Sequence, residues 1–316
     1  MPRFNAPILP ADADGMNRAA HILRDRGLVA LPTETVYGLG ADARNDHAVA
    51  RVFAAKGRPA FNPLIVHVAD IASARRLVHW TRVADTLAQA FWPGPLTLVL
   101  PLKAGHGLSP LVTADLPTVA IRIPAHAVAQ ALLARFGGPI AAPSANPSGR
   151  ISPTTVAHVM AGLSGRIDAV IDGGACTVGL ESTIIGLAPQ PVLLRPGGVS
   201  AELIETALGA SLARSENPDN ITAPGQILSH YAPGASVRLN ATHKAAGEML
   251  LGFGPVEADL NLSPGGDLVE AAANLFGHLH TLDATGRPIA VSPIPQTGLG
   301  RAINDRLRRA AAPRPS

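Results

Sequence analysis

Short apolar runs alternating with amphipathic helical windows constrain this chain more than any other feature, because that alternation suits an α/β sheet rather than an all-helical or all-β protein. Asp14 to Arg26 has helical spacing and stops at Gly27. Leu28 to Leu31 is strand-like, Asp46 to Lys56 is helical and closes at Gly57, and Leu64 to Val68 is again a strand. Helical windows over Ile71 to Trp80 and Thr81 to Trp92 precede apolar runs at Leu96 to Leu102 and Val119 to Ile123. A helix over Ala125 to Phe136, the loop PIAAPSANPSG, a helix over Thr154 to Leu163, strands near Ala169, Thr183 and Val192, and a helix over Ala201 to Leu208 complete the first domain, 1–212.

The character then changes. SENPDNITAPGQILSHYAPG is rich in Pro, Gly, Ser and Asn without a sustained apolar period, so 213–234 reads as a linker. Beyond it VRLN, a helix through Lys244 to Leu251, ADLNL, a helix through Leu268 to Leu282, PIAVSPI and a helix through Ala302 to Ala311 suggest three strand-then-helix units in a smaller α/β domain, 235–316.

Composition excludes several classes. The 316 residues are 47% hydrophobic, enough for a sizeable core, and the longest apolar runs fall far short of a membrane span. With no apolar leader at the N-terminus, the reading is a cytoplasmic protein without membrane contact. The single cysteine, Cys176, rules out an intramolecular disulfide and a multi-cysteine zinc site. A formal charge of +3 permits an anionic ligand or RNA without demanding either. The basic run RLRRAAAPRPS reads as a solvated helix end and tail.

Leu31 to Asp42, LPTETVYGLGAD, imitates a dinucleotide loop, but the acidic residue expected about twenty positions later is replaced by the basic KGRPAFNP. The phosphate loop G-x-x-x-x-G-K-[ST] is absent, as are H-E-x-x-H and G-x-S-x-G. What remains is a set of oddities. Lys56 and Arg58 close a helix, where they either complement its dipole or meet a phosphate. His67 and Arg122 interrupt apolar strands, and a buried arginine needs a carboxylate or phosphate partner. APSANPSGRISPT places hydroxyls and an amide before a helix, as an anion site or an ordinary Pro-Ser loop.

Taken in order, TETVYGLGAD, KGRPAFNPLIVHV, WPGPLTLVL, VAIRIPAH, APSANPSG, ESTIIGL and LLRPGG resemble the Sua5/YrdC family of threonylcarbamoyl-adenylate synthases. GQILSHYAPG and TGLGRAINDRLRRAA resemble its longer, Sua5 form. The resemblance implies a YrdC-like twisted open sheet with flanking helices, plus a smaller Rossmann-like α/β C-terminal domain. It implies a nucleotidyltransferase that joins L-threonine and bicarbonate to AMP, consuming ATP with Mg2+ and releasing pyrophosphate. The product would feed a downstream threonylcarbamoyl transferase complex in t6A modification of tRNA. Carried over, Thr35, His67, Arg122, Ala142 and Ser182 would surround threonine. Arg58, Asn62, Thr118, Ser144, Asn146, Ser152, Arg195 and Tyr231 would surround ATP, with Lys56 beside the phosphates and Lys56 and Arg58 as the catalytic cations. No side-chain metal site is implied.

On that reading TET is a substrate wall and GLG a tight turn that lets the chain approach its ligand. Glu34 and Glu181 stay open between acid–base, metal-binding and structural roles. Gly225 is followed by QILS where the family more often has basic residues, so a cationic linker contact is not carried over. The stretch Ser215 to Gly234 is long enough to be a lid over a labile mixed anhydride, and it reads as a lid rather than a passive tether, with the second domain holding its far end. Two alternatives remain: a noncatalytic RNA-binding protein on the same fold, with tRNA as direct partner, and a hydrogenase-maturation carbamoyl transferase. One cysteine argues against the latter.

Overall fold

A computed structural model describes residues 5–214 and 230–313. The chain opens with β1 (Ile8–Pro10), α1 (Ala13–Arg24), β2 (Val29–Leu31), β3 (Gly38–Asp42) and α2 (Asp46–Lys56). It continues through β4 (Ile65–His67), α3 (Ile71–Leu77), α4 (Arg82–Phe91), β5 (Leu96–Pro101), α5 (Pro110–Thr113), β6 (Thr118–Arg122) and α6 (Ala127–Phe136). Then come β7 (Ile140–Ala141), α7 (Val156–Leu163), β8 (Ala169–Asp172), β9 (Thr183–Gly186), β10 (Val192–Arg195), α8 (Ala201–Leu208) and β11 (Ala213–Arg214). Side chains that accept a leftover first-turn N–H start the helices: Asp12 for α1, Asn45 for α2, Thr81 for α4, Thr155 for α7 and Ser200 for α8. Gly57 and Gly209 end α2 and α8 in the left-handed conformation.

These strands form one mixed sheet of eleven, in the order β1-β8-β2-β3-β7-β4-β6-β5-β9-β10-β11. Neighbouring residues of a strand feed opposite faces. Val29 and Leu31 of β2 join the layer built with α1 and α6, while Ala30 enters the larger layer that holds Val52 of α2, Leu87 of α4 and Val159 of α7. Covering both faces is why the strands read as apolar runs. Two runs break that rule at one end of the sheet: parallel β4 and β6 pair His67 with Arg122.

The second domain contributes β12 (Val237–Arg238), β13 (Met249–Gly252), β14 (Leu260–Asn261), α9 (Leu268–Asp283), β15 (Ile289–Val291) and α10 (Gly300–Ala311). Its strands pair in parallel in the order β12-β15-β13-β14. Its core takes in Val36, Ile151 and Leu180 from the first domain, so apolar packing runs across the boundary. At Gly179, φ +71°, an added Cβ would sit 2.4 Å from the Ala272 carbonyl oxygen of α9. Only glycine permits so close an approach.

Three sequence expectations need correction. Lys244 to Leu251 is not a helix: Gly247, φ +86°, breaks the spacing, Arg238–Glu248 and Lys244–Asp259 ion pairs hold a polar turn, and Met249–Gly252 is strand β13. The second domain accordingly has two helices among its described residues, not three strand-then-helix units. GLG is no tight turn but the start of β3. Its glycines make room for neighbours, since a Cβ on Gly40 would lie 2.9 Å from Leu31 and one on Gly38 3.2 Å from Ala142. The lid-or-tether question falls on residues 215–229, outside the described residues.

Candidate active site

A cleft of about 560 Å³, counting its open mouth, lies where β4, β6 and β10 end. Carboxyl ends of strands in α/β sheets are where ligands usually bind. Thr33, Thr35, Val36 and Gly38 form one wall. Thr33 accepts from the Thr35 and Val36 amides and donates to the Val36 carbonyl at 2.7 Å, folding the TET tripeptide over its own hydroxyl. That fold aims Glu34 and Thr35 at the end of β6.

Arg122 meets them there. Its Nη1 donates to Thr35 Oγ1 at 2.8 Å, its Nε to the Gly94 carbonyl at 3.1 Å, and its Nη2 lies 2.7 Å from Glu34 Oε1. The last contact is an ion pair without hydrogen-bond alignment, and neither Glu34 oxygen accepts a hydrogen bond among the described residues. Glu34 is therefore a buried carboxylate with acceptor capacity to spare. Burial, reinforced by Arg122, pulls His67 down to about 3, so it is neutral at physiological pH.

The opposite side is cationic. Arg195 reaches the Ser182 carbonyl through Nη2 at 2.8 Å and its hydroxyl at 3.2 Å, while Ser182 Oγ and Thr97 Oγ1 share a bond of 2.7 Å. Arg58 donates to Asn62 Oδ1 and the Pro63 carbonyl, each at 2.7 Å. Burial, with Arg195 adding repulsion, lowers Arg58 to about 9, which leaves it charged at neutral pH. Tyr231, φ +62°, is buried against His230, and Glu181 completes the lining.

Of the residues singled out in the sequence, Thr35, His67, Arg122, Ala142, Ser182, Arg58, Ser144, Arg195 and Tyr231 line this cleft. Four others stand behind it. Lys56 is buried and donates to the Ser144 and Asn146 carbonyls, so it braces the APSAN loop instead of facing the cleft. Asn62 orients Arg58, Asn146 ties its own loop to the Pro147 and Arg150 carbonyls, and Ser152 donates to Glu181 Oε1. Thr118 is apart from them: it begins β6, four residues and about 13 Å of strand before Arg122.

Sequence reasoning missed Thr33, whose side chain looks inward for purely local reasons, and Arg306. The C-terminal basic run was read as solvated, yet Arg306 is fully buried and bonds Glu181 Oε2 at 2.7 Å. Nothing in the run distinguishes it from Arg308 and Arg309 except its helical spacing from Ala302, Ile303 and Ala310 on the buried face of α10.

Three arginines and a carboxylate gathered at the strand ends of a mixed α/β sheet define a ligand-binding α/β protein of the enzyme kind. A family model described as telomere recombination, Sua5/YciO/YrdC, matches residues 21–197, and one described as the threonylcarbamoyl-AMP synthase C-terminal domain matches 199–312. Threonylcarbamoyl-AMP synthase of Pyrococcus abyssi is 42% identical, over 93% of this chain and 93% of its own length. That of Bacillus subtilis is 42% identical over 94% and 93%. The crystal structure of P. abyssi Sua5 complexed with L-threonine superposes with a TM-score of 0.89 at 40% identity, covering 96% of this chain and 97% of that one. The chain belongs to the Sua5/YciO/YrdC family, in its two-domain form.

Proposed function

We propose that this protein is a threonylcarbamoyl-AMP synthase, making threonylcarbamoyl-AMP and pyrophosphate from L-threonine, bicarbonate and ATP. The observation that carries the reading is buried Arg122, ion-paired with Glu34 and lining the cleft together with Arg58 and Arg195. An amino acid suits such a group: its carboxylate complements the Arg122 fork, whose charge Glu34 balances from outside the cleft lining. Thr35 and Ser182 supply hydroxyls for the threonine side, with neutral His67 and Ala142 closing around it.

The nucleotide belongs at the other end, where Arg58, Arg195, Ser144 and Tyr231 meet. Once the threonine amine, after losing its ammonium proton, has added to bicarbonate with loss of water, a carbamate oxygen attacks the α-phosphate and pyrophosphate leaves. Arg58 and Arg195 offset charge on the phosphates as that happens. Lys56 acts at one remove, by fixing the loop that presents Ser144. No protein nucleophile is required, and the chemistry is positioning and electrostatics.

Mg2+ fits as a companion of the ATP phosphates. Among the described residues no three His, Cys, Asp or Glu side chains gather as a ligand set, and Glu181 already has both oxygens engaged. Bound there, the ion would neutralise phosphate charge. The product would pass to a downstream threonylcarbamoyl transferase complex acting on tRNA. No helix among the described residues is long and apolar enough to cross a membrane, and the tRNA connection argues for the cytoplasm.

The test is incubation with ATP, threonine and bicarbonate, with pyrophosphate assayed and the adenylate detected by mass. Release should require both threonine and bicarbonate. Equal release without threonine would overturn the reading, and tRNA binding without any turnover would favour a noncatalytic role.

A further inference from the structure

Arg306 sits on α10 of the second domain, 125 positions from Glu181 in sequence, and is fully buried. Its Nε donates to Glu181 Oε2 at 2.7 Å, its Nη1 to Asp305 Oδ2 at 2.7 Å and its Nη2 to the Pro196 carbonyl at 3.0 Å. The guanidinium carbon lies 5.0 Å from the Tyr231 ring centroid. Glu181 Oε1 accepts from Ser152, so both oxygens of this cleft-lining carboxylate are committed.

The surrounding chain is gripped as well. Gly179 lies against the backbone of α9, and a Cβ on Gly197 would lie 2.3 Å from the Glu181 carbonyl oxygen. His280 of α9 reaches the Ser152 carbonyl at 3.1 Å. Two helices of the second domain thus hold the segment that carries Glu181 and Ser182.

A buried ion pair adds little stability over an apolar pair of similar size, so stability alone gives no reason for one in a cleft wall. Position gives a reason. The other cation that acts on the Glu181 carboxylate is Arg195, which lines the cleft and bonds Ser182. Deprived of Arg306, Glu181 would draw Arg195 to itself.

We infer that Arg306 is a positioning residue for the nucleotide end of the cleft: by satisfying Glu181 from the second domain, it leaves Arg195 on Ser182 and facing the phosphates. The inference rests on the reaction proposed above. It assigns the second domain a part in the site that requires no contact with substrate.

The experiment compares Arg306→Met, Arg306→Lys and the double variant Arg306→Met/Glu181→Gln in the full chain, with thermal unfolding as the check on folding. Arg306→Met should raise KM for ATP about tenfold, the worth of one charge-assisted contact, and leave KM for threonine within about twofold. Arg306→Lys should recover part of the loss. The double variant, with no carboxylate to capture Arg195, should return toward the wild-type KM for ATP. A purely structural arginine would lower both affinities along with stability and would not be rescued by Glu181→Gln.

Should Arg306→Met fail to fold, the lysine and double variants decide: a lysine variant with unchanged KM for ATP, or a double variant with a KM for ATP more than about tenfold above wild type, overturns the inference. A folded Arg306→Met with wild-type KM for ATP overturns it directly. If the wild-type chain binds ATP but forms no adenylate, the reaction is wrong and the Arg306 claim is judged by ATP calorimetry on the same variants. Failure to bind ATP at all sinks both.

Discussion

Arg122 and Lys56 show how differently two buried basic side chains serve one cleft. Arg122 faces the cavity, and its Nη2 and Nη1 meet Glu34 and Thr35, groups that a ligand carboxylate can displace or join. Arg122→Gln should therefore weaken threonine binding by about 1.5 to 3 kcal/mol, the range for a charge-assisted hydrogen bond, with little change for ATP. Titration calorimetry on the folded variant reads this directly, and unchanged threonine affinity removes Arg122 from the site. Lys56 instead spends its amine on two backbone carbonyls, and burial, with Arg58 adding repulsion, lowers it well below the usual lysine range. Lys56→Met should cost about 1.5 to 3 kcal/mol of stability, measured by urea denaturation, and raise KM for ATP more than KM for threonine through the loosened Ser144 loop. A variant that loses turnover without losing stability or ATP affinity would instead place the amine in the chemistry.

At the scale of elements, the glycines around the domain boundary carry the sharpest expectation. Gly179→Ala combines a φ of +71° with a Cβ 2.4 Å from α9 backbone, and neither can relax without moving a helix. The variant should lose well over about 1 kcal/mol, visible as a lower Tm, because alanine where φ is positive costs more than the gain in chain stiffness. A Tm equal to wild type would mean that α9 does not bear on this loop. Element ends with a local cause were legible beforehand: Asn45 and Gly57 bracket α2, and Ser200 and Gly209 bracket α8, so both helices run as read. Elements decided by distant neighbours were not. KAAGEMLL has helical spacing apart from Gly247, and its place in a parallel sheet beside β15 makes Met249–Gly252 a strand. GLG looked like a turn for the same reason, since what its glycines accommodate lies on β2 and beyond β7. The cleft followed this division: Arg122 and His67 were conspicuous as polar breaks in apolar strands, whereas Arg306 resembles any helix-end arginine until α10 is packed.

Over the whole molecule, buried and half-buried histidines set the response to acid. Burial lowers His67 to about 3 and His158, stacked 3.8 Å from His280 across the domain boundary, to about 4, the latter helped by its neighbour's charge. His230 and His280 are lowered too, chiefly by burial. Unfolded histidines titrate near 6.5. Below that pH the unfolded chain binds protons that the folded one does not, so stability is fully present above about 6.5 and falls as pH drops toward 4. Carboxylates with lowered values, such as Glu181, act only at more acid pH. Scanning calorimetry should show Tm falling between about pH 6.5 and 5, less steeply in His158→Phe, and a flat Tm across that window would contradict the account.

The 125 residues that separate Glu181 from Arg306 also order events during synthesis. A ribosome makes every strand of the large sheet before it reaches α10, and until that helix emerges Glu181 has no cation from the second domain. The nascent chain can thus carry Thr35, Arg58, Arg122 and Arg195 while Glu181 still lacks its Arg306 partner. If Arg306 sets the cleft as inferred above, the site is completed only in the last stretch of translation, and a premature stop between Tyr231 and Arg306 should yield a protein that has the residues of the cleft but not their arrangement.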